Sequence, residues 1–364
     1  MEIASSWKLH SINDIKYNIN NLSFNQCLFS PDSQIFCQCG PSSITFISKD
    51  QTKSIAPPTQ SSEEIKCIST AFTTPWILSM GTSEGRVIFY DNSTERYITI
   101  SPDNQPVKFI KTSSFTESHF TKPYPVLLIQ YPKGICAIIH MDNLLHNIRQ
   151  NTPDGITFTK WQLTNDKNIR DSIVINSSIP KPIFHNFLKF PLVYSIGKPF
   201  ISVSSLIAQP NSATEAVKQI ANKFIKWMLQ SEDDNKTPIT KTSMQWELDD
   251  DKREGLSMSP DPTGRYIAIC DNMLRVIIID AIFGQITKIL KGYRDAQVAW
   301  LSAPTQNETN DTAYLIAYVP TREILVACLI PNGEIIAAVK VDRDGKLFQT
   351  IDDKSNYGAT FVYP

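Results

Sequence analysis

The chain has 364 residues, which is long enough for two or three ordinary domains or for one large repeat architecture. Its 36 acidic and 35 basic residues give a formal net charge of -1, so the chain lacks the strong positive charge on which general nucleic-acid binding depends. Hydrophobic residues make up 41% and charged residues 20%, a balance that excludes a disordered chain. The composition therefore predicts a folded protein without a nucleic-acid partner.

Targeting signals and disulfide patterns give the expected compartment. The first ten residues lack a basic region followed by an apolar one, and no later stretch approaches the roughly 18 to 20 uncharged apolar residues of a membrane span. The seven cysteines run from Cys27 to Cys328 without the paired spacing of a disulfide framework. We therefore expect a soluble, unsecreted protein with buried thiols in a reducing compartment, the cytoplasm.

Short runs rich in Ile, Val, Phe and Tyr, separated by Gly, Pro, Asn, Asp and Ser, dominate the chain and predict an all-β fold. Residues 67–100, 257–290 and 314–341 share one order of elements: a strand, a tight turn, a strand, a second turn and a further strand. The second turns contain Asn92, Gly284 or Gly333. Antiparallel meanders that repeat about every 40 to 50 residues are typical of propeller blades.

The repeat predicts a WD-repeat-like β-propeller of about seven blades, with residues 1–364 forming a single domain. A β-sandwich with the same density of strands is the alternative. The blades are expected to begin near seven positions, of which the middle three are poorly patterned: Asn25, Lys66, Pro106, Asp154, Pro182, Gly255 and Gln297.

One segment breaks the β pattern. In residues 212–230 (SATEAVKQIANKFIKWMLQ) the apolar residues fall at the i, i+3, i+4, i+7 spacing of an amphipathic helix. Ser212 and Glu215 have the spacing of a capping box at its start. Together with the polar stretch that follows, residues 212–238 are expected to be an insertion between blades. Its apolar stripe either packs on the propeller rim or docks on a protein or membrane surface.

Enzymatic motifs are weak in this sequence. Residues 81–85 (GTSEG) match the G-x-S-x-G pattern of a hydrolase, but the strand-like RVIFY that follows favours a hairpin over the helix that a nucleophilic Ser83 requires. The five histidines show no H-E-x-x-H, and there is no phosphate-binding glycine loop. Cys37 and Cys39 are expected to be core thiols. We therefore predict no catalytic residue, no metal and no cofactor.

The unusual stretch is residues 291–297 (KGYRDAQ), which joins two predicted strands. As a structural device, Asp295 accepts backbone N–H groups while Tyr293 covers the edge of a blade. As a contact site, Tyr293 and Arg294 are side chains of the types that anchor interfaces. The residues themselves leave both interpretations open. The candidate partner-binding residues are Lys291, Tyr293, Arg294, Asp295 and Gln297.

Residues 254–300, which end in the KGYRDAQ block, carry a family resemblance. Further matches follow at residues 81–91 (GTSEGRVIFYD), 160–163 (KWQL), 213–229 and 321–341 (TREILVACLIPNGEIIAAVKV). In these blocks the chain resembles the N-terminal domain of the non-catalytic regulatory subunit of the heterodimeric GTPase-activating complex for Rab GTPases of the Rab-3 group. The resemblance favours the contact interpretation of KGYRDAQ.

What the resemblance implies is a non-enzymatic scaffold in membrane traffic, with a catalytic subunit and a Rab GTPase as partners. It also implies a link to nucleotide exchange, and a cytoplasmic location with peripheral membrane contact as an open alternative. The GTPase-activating residues belong to the partner, so Arg294 is not expected to be an arginine finger. The alternative is a stand-alone propeller adaptor in vesicle traffic. Family members continue beyond the propeller, so this chain is either a short member or part of a longer protein.

Overall fold

The structure is a computed structural model that describes residues 8–11, 26–30, 34–49, 51–72, 75–113, 126–163, 168–177, 190–206, 239–303, 312–351 and 357–363. In this part of the chain, 28 short β-strands are arranged in seven sheets, together with a single α-helix, α1 (Met141–Gln150). The predicted all-β class is confirmed. The order of the sheets along the chain and around the molecule is that of a β-propeller.

Six sheets follow one another along the chain and are called blades 1 to 6 here. Blade 1 comprises β2 (Cys27–Phe29), β3 (Phe36–Cys39), β4 (Ile44–Ile47) and β5 (Thr52–Ile55). Blade 2 comprises β6 (Ile65–Phe72), β7 (Ile77–Thr82), β8 (Val87–Asp91) and β9 (Arg96–Ile100). Blade 3 comprises β10 (Phe109–Ser113), β11 (Val126–Gln130), β12 (Ile135–His140), β13 (Phe158–Gln162) and β17 (Ile239–Lys241).

Blade 4 comprises β14 (Asn168–Ser177), β15 (Phe190–Lys198), β16 (Ile201–Ser205) and β18 (Ser243–Leu248). Blade 5 comprises β19 (Gly255–Pro260), β20 (Tyr266–Asp271), β21 (Arg275–Asp280) and β22 (Gln285–Lys291). Blade 6 comprises β23 (Gln297–Ala303), β24 (Thr312–Val319), β25 (Ile324–Leu329) and β26 (Glu334–Lys340). Neighbouring strands are antiparallel, except that β17 adds in parallel to the edge of β13.

The seventh sheet, called the closing sheet, has three strands and joins two distant parts of the sequence. Its strands β27 (Lys346–Ile351) and β28 (Tyr357–Tyr363) form a hairpin. The strand β1 (Lys8–Ser11) pairs in parallel with β28, with Lys8 opposite Thr360 and Ser11 opposite Tyr363. The first strand of each blade contacts the first strand of the next, and β27 contacts both β23 and β2, so the ring is closed.

The core is divided among the interfaces between neighbouring sheets. Seven apolar clusters of described residues lie one at each interface, including those of the closing sheet with blades 1 and 6. Between blades 5 and 6, for example, the fully buried Trp300 packs with Ala268 and Leu315. Blade strands are therefore apolar on both faces, which explains the nearly continuous apolar runs of the sequence.

The turns that the repeats share have a common physical basis. Asp91 and Asp280 end the third strands of blades 2 and 5, and a carboxylate oxygen of each accepts a backbone N–H two residues further on, from Ser93 at 2.8 Å and from Ile282 at 2.9 Å. In the turns of blades 2, 5 and 6 the residue four positions after the end of the third strand is left-handed, with φ of +57° at Glu95, +64° at Gly284 and +67° at Gly333. The chain therefore reverses at the same place in each repeat, as the sequence predicts.

The helix α1 was not predicted. It lies between β12 and β13 and buries Met141, Leu144 and Ile148 in the cluster between blades 2 and 3. The spacing i, i+3, i+7 is helical, but the segment has only 10 residues and follows directly after a buried strand. Asn151 ends the helix with φ +56°, the left-handed conformation common after a helix.

The predicted starts of the first three and the last two blades agree with the structure, whereas the starts predicted between them do not. Blades 1, 2, 3, 5 and 6 begin within a few residues of the predicted starts. The starts predicted near Asp154 and Pro182 are wrong: residue 154 precedes the fourth strand of blade 3, and blade 4 begins at Asn168. The predicted set also omitted the closing sheet, because its strands do not form one local meander.

The predicted inserted helix, residues 212–230, and the whole proposed insertion, residues 212–238, lie outside the described residues. The described chain leaves blade 4 after β16 and resumes at Ile239 in β17, on the outer edge of blade 3. It then supplies β18, the outer strand of blade 4.

Candidate interaction site

The KGYRDAQ segment connects the outer strand of blade 5 to the inner strand of blade 6. Lys291 is the last residue of β22, and Gln297 is the first residue of β23. The Tyr293 N–H donates to the Leu274 carbonyl at 3.0 Å, and the Ala296 N–H donates to the Tyr293 carbonyl at 3.4 Å. The first bond holds this loop, called the blade 5–6 loop here, against the turn between β20 and β21, and the second closes a turn within the loop.

Two residues of the loop have left-handed backbone conformations. Gly292 has φ +79°, and a Cβ added there would lie 2.6 Å from Nη2 of Arg322. Asp295 has φ +54° and is a residue type that tolerates this region. The left-handed conformation is what favours glycine at this position, whereas the guanidinium of Arg322, in the turn between β24 and β25, is the end of an exposed side chain that can move.

Tyr293 is an internal residue. It is 8% exposed, lies in the apolar cluster between blades 5 and 6, and hydrogen-bonds with the thiol of Cys328. Burial raises the pKa of Tyr293 to about 12, and the neighbouring Cys328 adds to the rise. The contact interpretation of Tyr293 would require an accessible ring, whereas this ring is buried between the two blades, as the structural interpretation predicts.

Gln297 has a structural bond as well. Its Oε1 accepts the backbone N–H of Leu347 in the closing sheet at 2.7 Å. The side chain is half-buried. Gln297 therefore holds the closing sheet against blade 6. Its side-chain oxygen makes this internal hydrogen bond rather than one to a partner.

Lys291, Arg294 and Asp295 are exposed. No hydrogen bond or ion pair joins the side chains of Lys291, Arg294 or Asp295 to another residue of the described part of the chain. The structural interpretation of Asp295, in which its carboxylate accepts backbone N–H groups of the loop, is therefore not what the geometry shows. These three side chains are left available to a partner.

Two further residues lie beside the loop. Arg322 is exposed and approaches Gly292. Met273 is 43% exposed in the turn whose Leu274 carbonyl accepts the Tyr293 N–H. Neither residue could be found from the sequence, because Arg322 lies in a turn between two other strands and a single methionine forms no pattern. We call Lys291, Arg294, Asp295, Arg322 and Met273 together the loop surface; it combines three cations and one carboxylate with one exposed apolar side chain.

The segment around Ser83 forms a hairpin turn, as predicted. It joins β7 to β8, so a strand follows where a nucleophile requires a helix. The Ser83 hydroxyl accepts the Glu64 N–H at 3.0 Å, and the Ser83 N–H donates to the Glu64 carbonyl at 2.8 Å. Ser83 thus fastens the turn to the chain that enters blade 2.

The thiols also follow the prediction. All seven cysteines lie in described segments, all are buried, and none forms a disulfide. Cys37 and Cys39 pack in the cluster between blades 1 and 2, where burial raises the pKa of Cys39 to about 12. Among the described residues, no group of three or more His, Cys, Asp or Glu side chains is placed to hold a metal ion. No helix there is long and apolar enough to cross a bilayer.

Comparison with known protein families identifies the family to which this chain belongs. Residues 44–348 match the family model described as Rab3 GTPase-activating protein regulatory subunit N-terminus. The chain therefore belongs to this family, and the resemblance found in the sequence is confirmed.

A relative and a solved structure are also similar to the chain. A Rab3 GTPase-activating protein regulatory subunit from Caenorhabditis elegans is 34% identical over 73 residues, which are 20% of this chain and 5% of that protein. The match thus spans a small fraction of the relative's length. The solved structure titled Crystal Structure of Mitotic Checkpoint Complex has a chain that aligns with a TM-score of 0.49 and 12% identity, covering 93% of this chain and 87% of that one.

Proposed function

We propose that this chain is a non-catalytic regulatory propeller that docks the catalytic subunit of a Rab GTPase-activating complex and helps to place it on a Rab GTPase in membrane traffic. The observation that supports this most directly is the family match over residues 44–348. The rigid ring of blades supports a scaffold role, because it holds its loops in fixed positions.

The loop surface is the proposed docking site. Tyr293 and Gln297 hold the loop from inside, through the Cys328 thiol and the Leu347 N–H. Lys291, Arg294 and Asp295 are then presented without partners of their own among the described residues. Because the loop is already ordered, binding there costs little conformational entropy. Exposed Arg and Met side chains are also enriched at interfaces.

The test is affinity capture of partners by the tagged chain from cells of its own source. The expected result is recovery of a catalytic-type subunit of a Rab GTPase-activating complex together with a Rab GTPase. Recovery of vesicle-traffic proteins without such a subunit would instead support the stand-alone adaptor. The captured complex is then added to a Rab GTPase. Faster GTP hydrolysis by GTP-loaded Rab would indicate a role in activation, and faster release of nucleotide from GDP-loaded Rab would indicate a role in exchange.

The loop surface has its own test. The double variant Lys291→Glu/Arg294→Glu reverses two exposed cations and is expected to weaken capture of the catalytic subunit at least about tenfold with an unchanged Tm. The matched control Lys49→Glu/Arg149→Glu makes the same change of net charge on exposed residues of blades 1 and 3. Equal capture by both double variants would contradict this placement while leaving the proposed function standing.

A further inference from the structure

The inner strands of three blades share an irregularity close to where they begin. In β6, β14 and β19 one extra residue stands opposite the end of the second strand of the blade: Lys66 in β6, Arg170 in β14 and Leu256 in β19. A bulge of this kind re-aims the extra side chain and is common next to binding sites. The side chains of Lys66 and Arg170 are 44% and 58% exposed, and Leu256 is 44% exposed.

The extra residues of blades 4 and 5 lie beside Lys108, which immediately precedes the inner strand of blade 3. Nζ of Lys108 donates to the Ile169 carbonyl at 2.7 Å, one residue before Arg170. Nε of Arg170 pairs with Glu254 at 2.7 Å, two residues before Leu256. Because the inner strands surround the axis of a propeller, these residues border one opening of its central channel. We call the following residues the channel mouth: Lys66, Lys108, Arg170 and Leu256.

An internal ion pair holds three inner strands together next to the channel mouth. Nζ of Lys111 in β10 pairs with Asp171 in β14 at 2.5 Å and donates to the Met258 carbonyl in β19 at 3.1 Å. Asp171 also accepts the Met258 N–H at 2.9 Å, so this pair joins blades 3, 4 and 5. The backbone that carries the channel mouth is therefore ordered before a ligand arrives, which lowers the entropy cost of binding.

The channel mouth has more positive charge than its own carboxylates neutralise. No carboxylate in the described part of the chain pairs with Lys108, and burial together with the charge of Arg170 lowers the pKa of Lys108. Glu254 pairs with Arg170, and Glu64 pairs with Lys66. Both members of the Glu64–Lys66 pair are exposed, so a ligand can replace Glu64 at little cost. An anion placed between Lys108 and Arg170 would supply the missing charge.

We propose that the channel mouth binds an extended acidic segment of a partner protein. A carboxylate of the segment lies between Lys108 and Arg170, where it accepts charge-assisted hydrogen bonds from both. A neighbouring apolar side chain of the segment packs on Leu256. The channel mouth and the loop surface share no residue, so the inference goes beyond the function proposed above.

The make-up of the channel mouth favours a protein segment over other anions. A free anion such as phosphate would leave the exposed Leu256 without a contact. An anionic bilayer is recognised by clusters of about four to eight cations, whereas the three cations here have Glu64 and Glu254 beside them. A peptide that carries both a carboxylate and an apolar side chain matches both features.

The test measures the binding of short fluorescein-labelled peptides to the purified chain by fluorescence polarisation. The probes are peptides with two acidic residues and one leucine in every spacing, and matched peptides in which asparagine and glutamine replace the acidic residues. Acidic peptides are expected to bind, and to bind less tightly as the salt concentration rises. The amide peptides should bind at least about tenfold more weakly. Because no catalytic subunit is present, the result does not depend on the function proposed above.

Variants of the channel mouth show where the peptide binds. Lys108→Gln/Arg170→Gln is expected to weaken binding of the acidic peptides at least about tenfold. The matched control Lys49→Gln/Arg149→Gln removes the same charge from exposed residues elsewhere and should leave the Kd unchanged. Leu256→Ser should abolish the preference for leucine over alanine in the peptide and retain the preference for acidic residues.

Thermal melts of each variant show whether it folds. If the double variant does not, Arg170→Gln alone changes an exposed side chain and is expected to weaken binding about threefold. The proposal is overturned if no acidic peptide binds the wild-type chain, or if the channel-mouth variants bind as tightly as the control. Vesicles with about one third phosphatidylserine provide the other outcome. If they bind the wild-type chain but not the variants, and no peptide binds, the channel mouth is a membrane contact instead.

Discussion

Gln349 and Trp300 exchange two hydrogen bonds across the junction between the closing sheet and blade 6. The Trp300 N–H donates to Oε1 of Gln349 at 2.6 Å, and Nε2 of Gln349 donates to the Trp300 carbonyl at 3.0 Å. A side-chain amide thus bonds both backbone groups of an inner-strand residue, as a neighbouring strand would. Together with the bond from Leu347 to Gln297, it joins the last sheet to the ring.

We expect Gln349→Leu to destabilise the whole propeller. The leucine is similar in size, but it leaves the N–H and carbonyl of the fully buried Trp300 without partners. The expected loss is on the order of 2 kcal/mol of unfolding free energy, measured by urea denaturation. Gln285→Leu, at an exposed position in β22, is the control and should change stability by less than about 0.5 kcal/mol. A loss no larger than that of the control would show that the junction does not depend on these two bonds.

Tyr293 and Arg294 are adjacent in the chain but should behave differently. Tyr293→Ala removes a buried ring from between blades 5 and 6 and is expected to cost about 3 kcal/mol of stability. Tyr293→Phe keeps the ring, loses only the bond to Cys328 and should cost about 1 kcal/mol. Arg294→Ala should leave the Tm unchanged because the side chain is exposed. Thermal melts of the three variants check this order, and an unchanged Tm in Tyr293→Ala would contradict the burial of the ring.

The pair of Glu63 and Arg86 should govern part of the acid stability. Arg86 hydrogen-bonds to both carboxylate oxygens of Glu63, which is 4% exposed, and lowers the pKa of Glu63 from 4.5 to about 2. A carboxyl group with a lowered pKa in the folded state stabilises it above the ordinary pKa, and this contribution is lost as the pH falls.

We therefore expect a decline in unfolding free energy between about pH 4.5 and pH 2 that Glu63→Gln lacks. At pH 7 this variant should be less stable by on the order of 3 kcal/mol. Glu84→Gln changes an exposed carboxylate of the same blade and is the control. The measurement is the denaturation midpoint as a function of pH, and parallel curves for wild type and Glu63→Gln would disprove the role of the pair.

Ser83→Ala tests the turn interpretation of the GTSEG sequence. The variant loses one hydroxyl that accepts the Glu64 N–H, so we expect a change of about 1 kcal/mol or less and unaltered partner capture. Neither form should hydrolyse activated esters above the uncatalysed rate. Turnover by the wild type that disappears in Ser83→Ala would assign the residue to catalysis.

The parts of the fold that the sequence predicts are those made of neighbouring strands. Blades 2, 5 and 6 are continuous meanders whose turns contain Asp91, Asp280, Gly284 or Gly333, and each such turn has a local cause. The closing sheet could not be found in this way, because β1 and β28 pair across most of the chain length. Blade 4 has its outer strand separated from β16 by residues 206–242, which hides its repeat.

The features of the loop surface also divide into those that neighbouring residues in the sequence determine and those that depend on distant residues. The position of the loop follows from the strands on each side of it, and the exposure of Arg294 is usual for its residue type. The burial of Tyr293 depends on Cys328 in β25, and the shape of the surface depends on Arg322 in the turn between β24 and β25. Contacts of this kind are set by how two blades pack, for which a single sequence gives no pattern.

The parallel pairing of β1 with β28 has a mechanical consequence. Chain attached before Lys8 and chain attached after Tyr363 leave the closing sheet at opposite ends of the paired strands. Tension between them therefore pulls the two strands past each other along their length. All four residue pairs from Lys8–Thr360 to Ser11–Tyr363 carry this load at once, whereas an antiparallel closure would open one pair at a time. The pairing of β1 with β28 is thus loaded in shear, the direction in which a short set of hydrogen-bonded residue pairs resists pulling best.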